Sequence, residues 1–160
     1  MNKPPVNYWG KHKMSTKPII ALGADHGGYP LKEEIKTFLK KEGYETIDCG
    51  THSTDAVDYP VFAAKVAHKV ADGKARFGVI VDGAGIGSSM AANKIPGVRA
   101  ALCYDLSSAN NAREHNDANV LTLGSGLIGK ALATQIVKKF ITTDCTEDRH
   151  LKRVGMIDDL

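Results

Sequence analysis

The sequence predicts an α/β fold in which a parallel sheet is covered by helices on both faces. Four apolar runs are each too short for a helix and are bounded by Gly, Asp or Asn, which is typical of buried parallel strands. Segments with helical periodicity lie between these runs, and such alternation favours a parallel sheet. A chain of 160 residues is long enough for one domain whose core needs neither disulfides nor metal.

The predicted strands follow one another in a regular order along the chain. A weaker candidate at residues 45–48 lies between the first strand and the next, and its apolar character is less continuous. The four stronger candidates are residues 19–24, 77–81, 98–103 and 120–123.

Three segments have the periodicity of amphipathic helices. In the first, at residues 31–39, apolar side chains recur at i, i+4, i+7 and i+8, and Gly43 supplies a stop signal. The same spacing recurs at residues 62–70, directly after the sequence Asp-Tyr-Pro. A glycine-containing turn opens the third helix, which is predicted at residues 127–140.

Composition argues against several classes of protein. The net charge is only +3 and the basic residues are scattered, which gives little support to nucleic-acid binding. The apolar runs are far too short to span a membrane. The three cysteines, Cys49, Cys103 and Cys145, lie far apart and lack metal-ligand spacing. With no apolar leader, these features predict a cytoplasmic protein with reduced thiols and no metal.

The N-terminal residues differ from the rest of the chain. Residues 1–17 contain prolines and lysines but no periodicity, which predicts a flexible extension or a remnant of expression. Tyr8 and Trp9 leave open that the segment is a docking peptide. Residues 18–160 are then the single domain, ending in a helix.

Ligands of parallel sheets bind at the carboxyl ends of the strands, so the residues that follow each strand are candidate site residues. Asp25 and His26 follow the first strand and precede two glycines. A tight turn into a helix N-terminus would expose N–H groups that favour an anion. In the alternative interpretation, Asp25 only caps the helix and His26 is incidental.

A glycine-rich turn follows residues 77–81. Its alternating glycines allow close approach of a ligand to successive backbone N–H groups, which suits a phosphate, an enediolate oxygen or a nucleotide. The ending of a P-loop is absent. Asp105, about 20 residues further on, resembles the ribose-binding acid of dinucleotide sites, so a nucleotide remains an alternative ligand. The turn comprises Asp82, Gly83, Ala84, Gly85, Ile86, Gly87 and Ser88.

Two polar clusters complete the candidate site. Residues 107–119 are unusually polar and contain His115 and Asn116 just before the last predicted strand. This segment is either a solvated helix end or the carrier of a histidine that transfers protons near neutral pH. Arg149 and Arg153 are spaced i, i+4 and share one helix face, where they form either a phosphate clamp or a basic surface.

Taken together and in this order, the segments resemble the ribose-5-phosphate isomerase B family, which includes the galactose-6-phosphate isomerase subunits. The resemblance covers about residues 18–154. The segments that carry it are GADHGG at 23–28, DYP at 58–60, GAGIG at 83–87, AANKIPGVRAALC at 91–103, REHNDANVL at 113–121 and the arginine pair.

This resemblance implies a Rossmann-like three-layer sandwich with a five-stranded parallel sheet. It implies interconversion of an aldose and a ketose phosphate through a cis-enediolate, without cofactor or metal. It also implies a homodimer or a dimer of dimers in which each active site is shared between two subunits.

The resemblance further implies roles for individual residues. The glycine-rich turn would bind the enediolate, the histidine after the polar segment would assist ring opening, and the arginine pair would grip the phosphate from the partner subunit. The catalytic residues so implied are Asp82, His115 and Asp25, and the substrate-binding residues are His26, Tyr59, Gly83, Ala84, Gly85, Ile86, Gly87, Ser88, Asn116, Arg149 and Arg153.

Four positions depart from the family pattern. Asp82 stands where many members carry a cysteine base, and Ser88 stands where others carry a glutamate. Ala84 replaces a frequent Thr or Ser, and Gly126 replaces a frequent Arg. Asp82 is therefore predicted as the carbon base, with helix capping as the alternative role. The substrate could equally be a tetrose or hexose phosphate, and a catalytically silent nucleotide- or sugar-phosphate-binding relative is a further alternative.

Overall fold

A computed structural model describes residues 17–160, and within them five parallel strands form one sheet. The strands are β1 Ile20–Ala24, β2 Thr46–Asp48, β3 Phe77–Asp82, β4 Ala100–Leu102 and β5 Val120–Gly124. Their order across the sheet is β2-β1-β3-β5-β4. All five predicted strands are present, including the weaker candidate at β2. The predicted flexible extension, residues 1–17, lies outside the described residues except for Lys17.

Helices cover both faces of this sheet. They are α1 Tyr29–Lys41, α2 Tyr59–Ala71, α3 Ile86–Ala92, α4 Leu106–Glu114, α5 Lys130–Thr142 and α6 Asp148–Asp158. One apolar cluster joins α1, α4 and α5 to one face, and a second joins α2 and α3 to the other. The predicted Rossmann-like three-layer sandwich is thereby confirmed. No helix in the described part of the chain is long and apolar enough to cross a membrane.

The start of α5 is the main correction to the predicted elements. The sequence predicts this helix from residue 127, because Leu127 and Ile128 continue the apolar pattern. Both amides instead bond back to the carbonyl oxygen of Gly124, at 3.0 and 3.2 Å. The chain forms a turn there, and the helix begins three residues later at Lys130.

The continuous apolar character of the strands follows from burial on both faces. Every residue of β1, β3 and β5 is buried. Within β1, Ile20 and Leu22 face the α1 side, while Ala21 between them faces the α2 side. Apolar residues are therefore required at consecutive positions.

Parallel pairing gives the sheet two chemically different edges. All strands begin at one edge, here called the amino edge, and end at the other, the carboxyl edge. Helix α4 runs back from the end of β4 to the start of β5, so its last residues lie at the amino edge. Helix α6 lies there too, because Asp158 near its end pairs with Arg99 just before β4, at 2.8 Å.

Candidate active site

Asp25 begins the turn after β1, with one carboxylate oxygen engaged and the other available. Its Oδ1 accepts a hydrogen bond from the Gly28 amide at 2.9 Å, and within residues 17–160 no donor reaches its Oδ2. Gly28 is required for this approach, since a Cβ at that position would lie 1.9 Å from the Val81 carbonyl oxygen. The turn thus holds the Asp25 carboxylate directly beside the end of β3.

His26 is exposed beside Asp25 and is tethered by one ring nitrogen. Its Nδ1 lies 3.1 Å from the amide nitrogen of Val57 and 3.2 Å from the carbonyl oxygen of the same residue. The Nε2 atom has no partner in the described part of the chain. It is therefore available to a ligand at the carboxyl edge.

The glycine-rich turn after β3 packs too tightly for larger residues. Gly85 has a φ of +78°, and a Cβ there would lie 2.5 Å from the Leu102 side chain and 2.9 Å from the backbone of Leu123. At Gly87, a Cβ would lie 2.5 Å from the ring of Tyr59. These glycines bring the turn against β4, β5 and the first residue of α2.

Hydrogen bonds orient this turn so that several of its carbonyl groups are engaged while four of its amides are not. The Tyr104 hydroxyl donates to the carbonyl oxygen of Ala84 and the Thr122 hydroxyl donates to that of Gly85, both at 2.7 Å. Within residues 17–160, no acceptor is present for four amides of the turn. They belong to Gly83, Ala84, Ile86 and Gly87. Unpaired amides on one tight turn form a site suited to an anion.

Asp82 lies beneath this turn and not on its surface. The side chain is 5% exposed, and its carboxylate accepts hydrogen bonds from the Gly85 amide, the Ser88 amide at 3.3 Å and the Ser88 hydroxyl at 2.8 Å. Ser88 itself is fully buried. This geometry favours capping, which the sequence left open as the alternative role for Asp82.

His115 and Asn116 lie at the opposite edge of the sheet. His115 is the C-terminal cap of α4, and both side chains are exposed at the amino edge. Five-residue strands separate the two edges by about 16 Å, at roughly 3.3 Å per residue. The expectation that the candidate residues gather at strand ends is therefore wrong for these two, because they precede β5.

Arg149 and Arg153 share the amino edge with His115. Both are exposed on α6, and neither forms an ion pair within residues 17–160. Arg99 holds this edge together, since its guanidinium donates to the carbonyl oxygen of Asp117 at 3.0 and 3.1 Å and to the carboxylate of Asp158 at 2.8 Å. The loop after His115 and the end of α6 are thereby joined.

Several supporting residues were not predicted from the sequence. Tyr104 and Thr122 hold the glycine-rich turn, and the Ser125 hydroxyl donates to the carbonyl oxygen of Gly27 at 2.9 Å. Tyr104 lies shortly after β4 and Ser125 directly follows β5, so both could have been predicted as site residues from their positions at strand ends. Thr122 lies inside β5, and nothing in the sequence pattern distinguishes it.

A buried ion pair also supports the carboxyl edge. Lys32 is 1% exposed, and its ammonium donates to Asp48 at 2.7 Å while Lys36 donates to the other carboxylate oxygen at 2.8 Å. Burial opposes ionisation of Asp48, but the two lysines and the Gly50 amide outweigh it and lower its pKa to about 2. Gly50 in turn accepts from the Ala24 amide at 2.8 Å, which fixes the segment beside Asp25.

Comparison with known proteins decides the family. The family model described as Ribose/Galactose Isomerase matches residues 20–157. The chain belongs to the ribose/galactose isomerase family. Ribose-5-phosphate isomerase B of Escherichia coli strain K12 is 44% identical over 138 residues, which are 86% of this chain and 93% of that protein. The resemblance predicted from the sequence is thereby confirmed.

Solved structures of this isomerase family agree with the fold. That of Clostridium thermocellum ribose-5-phosphate isomerase B has a TM-score of 0.87 at 50% identity and covers 88% of this chain and 95% of its own. The type B ribose 5-phosphate isomerase of Trypanosoma brucei has a TM-score of 0.86 at 46% identity and covers 90% and 98%. Matches of this extent and identity confirm the fold described above.

The structure of this chain also shows the surroundings of Asp105 and of the potential metal ligands. Asp105, considered as a ribose-binding acid, accepts from the Ser108 amide at 2.6 Å and forms a capping box at the start of α4. This engagement favours a structural role for Asp105. Within residues 17–160, no group of three or more His, Cys, Asp or Glu side chains is arranged to hold a metal ion.

Proposed function

We propose that this isomerase interconverts ribose 5-phosphate and ribulose 5-phosphate, or a close analogue, through a cis-enediolate. The observation that carries the proposal is the glycine-rich turn, where four amides without an acceptor among the described residues offer donors to an oxyanion at the carboxyl edge. Oxyanion stabilisation by preorganised donors is often the largest catalytic contribution. The names of the Escherichia coli and Clostridium thermocellum relatives support the five-carbon substrate.

The reaction moves a proton between adjacent carbons. A base removes the proton from the hydroxyl-bearing carbon next to the carbonyl, and the carbonyl oxygen becomes an enediolate oxygen. The proton then returns to the former carbonyl carbon, while the proton of the neighbouring hydroxyl moves to the former carbonyl oxygen and the new carbonyl forms. A base of this kind contributes about 10²–10⁴-fold. The unpaired amides of Gly83 and Ala84 lie beside the strand end and would stabilise the charge on oxygen.

The carbon base is assigned to Asp25. In the parallel register Ala24 is opposite Val81, so the next residues, Asp25 and Asp82, lie side by side at the ends of neighbouring strands. Asp82 gives both carboxylate oxygens to the turn and helix, whereas Asp25 keeps Oδ2 without a donor in the described residues. Asp82 would then act through the turn, holding its amides in place.

The other half of the site would come from the partner subunit. His115, Asn116, Arg149 and Arg153 lie at the amino edge, about 16 Å from the glycine-rich turn by strand length. A single chain therefore cannot bring both groups to one small substrate. A homodimer or a dimer of dimers, in which the amino edge of one copy meets the carboxyl edge of the other, supplies a complete site.

The partner residues have distinct proposed tasks. Arg149 and Arg153 are exposed guanidinium groups without an intrachain ion pair in the described residues, so their charge is available to the substrate phosphate. His115 would transfer the proton that opens the sugar ring, with Asn116 beside it. His26 and Tyr59 would border the substrate at the carboxyl edge. None of these steps requires a metal or a cofactor.

A coupled assay over four-, five- and six-carbon aldose phosphates tests the proposal. We expect the highest kcat/KM with ribose 5-phosphate. A clear preference for a tetrose or hexose phosphate would support the alternative substrates. Absence of isomerase activity on the whole panel would contradict the proposed function and would support the catalytically silent alternative.

A further inference from the structure

A buried histidine without a role in the reaction described above lies against His115. His150 is in the first turn of α6, and its side chain is 7% exposed. Its ring centroid is 4.4 Å from that of His115, with an angle of 51° between the ring planes. Its Nδ1 lies 3.2 Å from the carbonyl oxygen of Glu114, the last residue of α4.

The partner of Nδ1 determines where the proton of His150 lies. A carbonyl oxygen can only accept, so the hydrogen bond requires a proton on Nδ1. The Glu114 carbonyl is one of the last in α4 and has no intrahelical donor, and no backbone donor reaches it within residues 17–160. The Nδ1–H group of His150 therefore fixes the end of α4, and the next residue along the chain is His115.

Burial keeps His150 away from the substrate, whereas the two arginines beside it on α6 are exposed. Arg149 precedes it and Arg153 follows one turn later, both exposed on α6. Helix α6 thus carries the proposed phosphate clamp on its exposed side and the contact with His115 on its buried side. A shift of α6 would move both groups together.

We propose that His150 is a positioning residue that holds the imidazole of His115 in the orientation needed for ring opening. It does so through the hydrogen bond to Glu114 and the ring contact, and it ties His115 to the helix that carries the phosphate clamp. The inference rests on the proposed function, because it assigns a task to His115.

A double-mutant cycle tests this inference. His150→Phe keeps an aromatic ring of similar volume but removes the donor to Glu114. Since misplacement by about 1 Å can cost about 10²-fold, we expect kcat/KM for ribose 5-phosphate to fall by about tenfold or more. In the His115→Ala background the same change should cost less than about twofold, because a residue that acts through His115 has nothing left to position. The residual rate there uses aldehyde that opens spontaneously in solution.

His68 provides the matched control, since it is exposed on α2 and makes no side-chain hydrogen bond in the described residues. His68→Phe should leave all rates unchanged. An equal cost of His150→Phe in both backgrounds would contradict the inference and leave the proposed function intact. A negligible effect of His115→Ala itself would instead contradict the proposed role of His115.

Nitrogen NMR of the intact protein gives a test that does not depend on the variants folding. Imidazole ¹⁵N shifts distinguish the two neutral tautomers. The inference requires a proton on Nδ1 of His150. Assignment of the neutral ring as the Nε2–H tautomer, with Nδ1 unprotonated, would overturn it.

Discussion

Asp82→Asn tests whether the buried carboxylate holds the glycine-rich turn. The carboxylate accepts from the Gly85 amide, the Ser88 amide and the Ser88 hydroxyl. An asparagine has nearly the same shape but replaces one acceptor oxygen with an NH₂ group. In either orientation that group faces a backbone amide, so at least one hydrogen bond is lost and a buried donor is left unpaired.

The magnitude follows from these contacts. A hydrogen bond to a charged group contributes about 1.5–3 kcal/mol, and an unsatisfied buried donor costs about 1–3 kcal/mol. Allowing for partial relaxation, we expect the free energy of unfolding to fall by about 2–4 kcal/mol. For a chain of this size the melting temperature should fall by about 5–15 °C. Thermal and urea unfolding at matched protein concentration measure both quantities.

Asp25→Asn is the matched control. Its Oδ1 can still accept from Gly28, so stability should change by less than about 1 kcal/mol. Loss of the base should nevertheless lower kcat by about 10²-fold or more. The reasoning is refuted if Asp82→Asn unfolds like the wild type while losing 10²-fold in kcat, because Asp82 would then be the base. A near-wild-type rate for Asp25→Asn would show that Asp25 is not the base.

Three further predictions concern the ion pair, a glycine and metal dependence. Because the pKa of Asp48 is lowered to about 2, its ionised carboxylate stabilises the fold by about 2 kcal/mol. This contribution is present above about pH 4 and is lost as the pH falls to about 2. The stability advantage of the wild type over Asp48→Asn, measured by urea titration, should therefore shrink across that range. Gly28→Ala should cost about 3 kcal/mol or more, measured by thermal unfolding, because its Cβ would overlap the Val81 carbonyl; a wild-type melting curve would contradict the close approach. Activity should be unchanged by EDTA, and loss of activity that a divalent ion restores would show that a metal takes part.

The sequence predicted the layers of the fold because both faces of the sheet are buried. That burial requires continuous apolar runs such as residues 77–81, which no surface strand would have. The start of α5 was not predictable from periodicity, since Leu127 and Ile128 fit the helical pattern but lie in the turn before it. The hydrogen bonds of that turn, and not hydrophobicity, determine where the helix begins.

The candidate site was predictable where its residues directly follow a strand. Asp25 and His26 belong to this group, because parallel strands all end at one edge. His115 precedes a strand and therefore lies at the other edge, a consequence of the topology that residue type alone does not reveal. The role of Asp82 depends on which amides donate hydrogen bonds to its carboxylate. These donors cannot be predicted from the sequence, because they are set by the folded conformation of the turn.

The most direct test of the shared site is complementation between two inactive variants. Asp25→Ala disables the carboxyl edge and Arg153→Ala disables the amino edge. In a two-fold dimer with random exchange, about half of the dimers are hybrids, and each hybrid holds one site with both edges intact. An equal mixture should therefore recover about one quarter of the wild-type specific activity. If mass spectrometry shows that subunits have exchanged and activity stays at the level of the single variants, the two edges do not meet between copies.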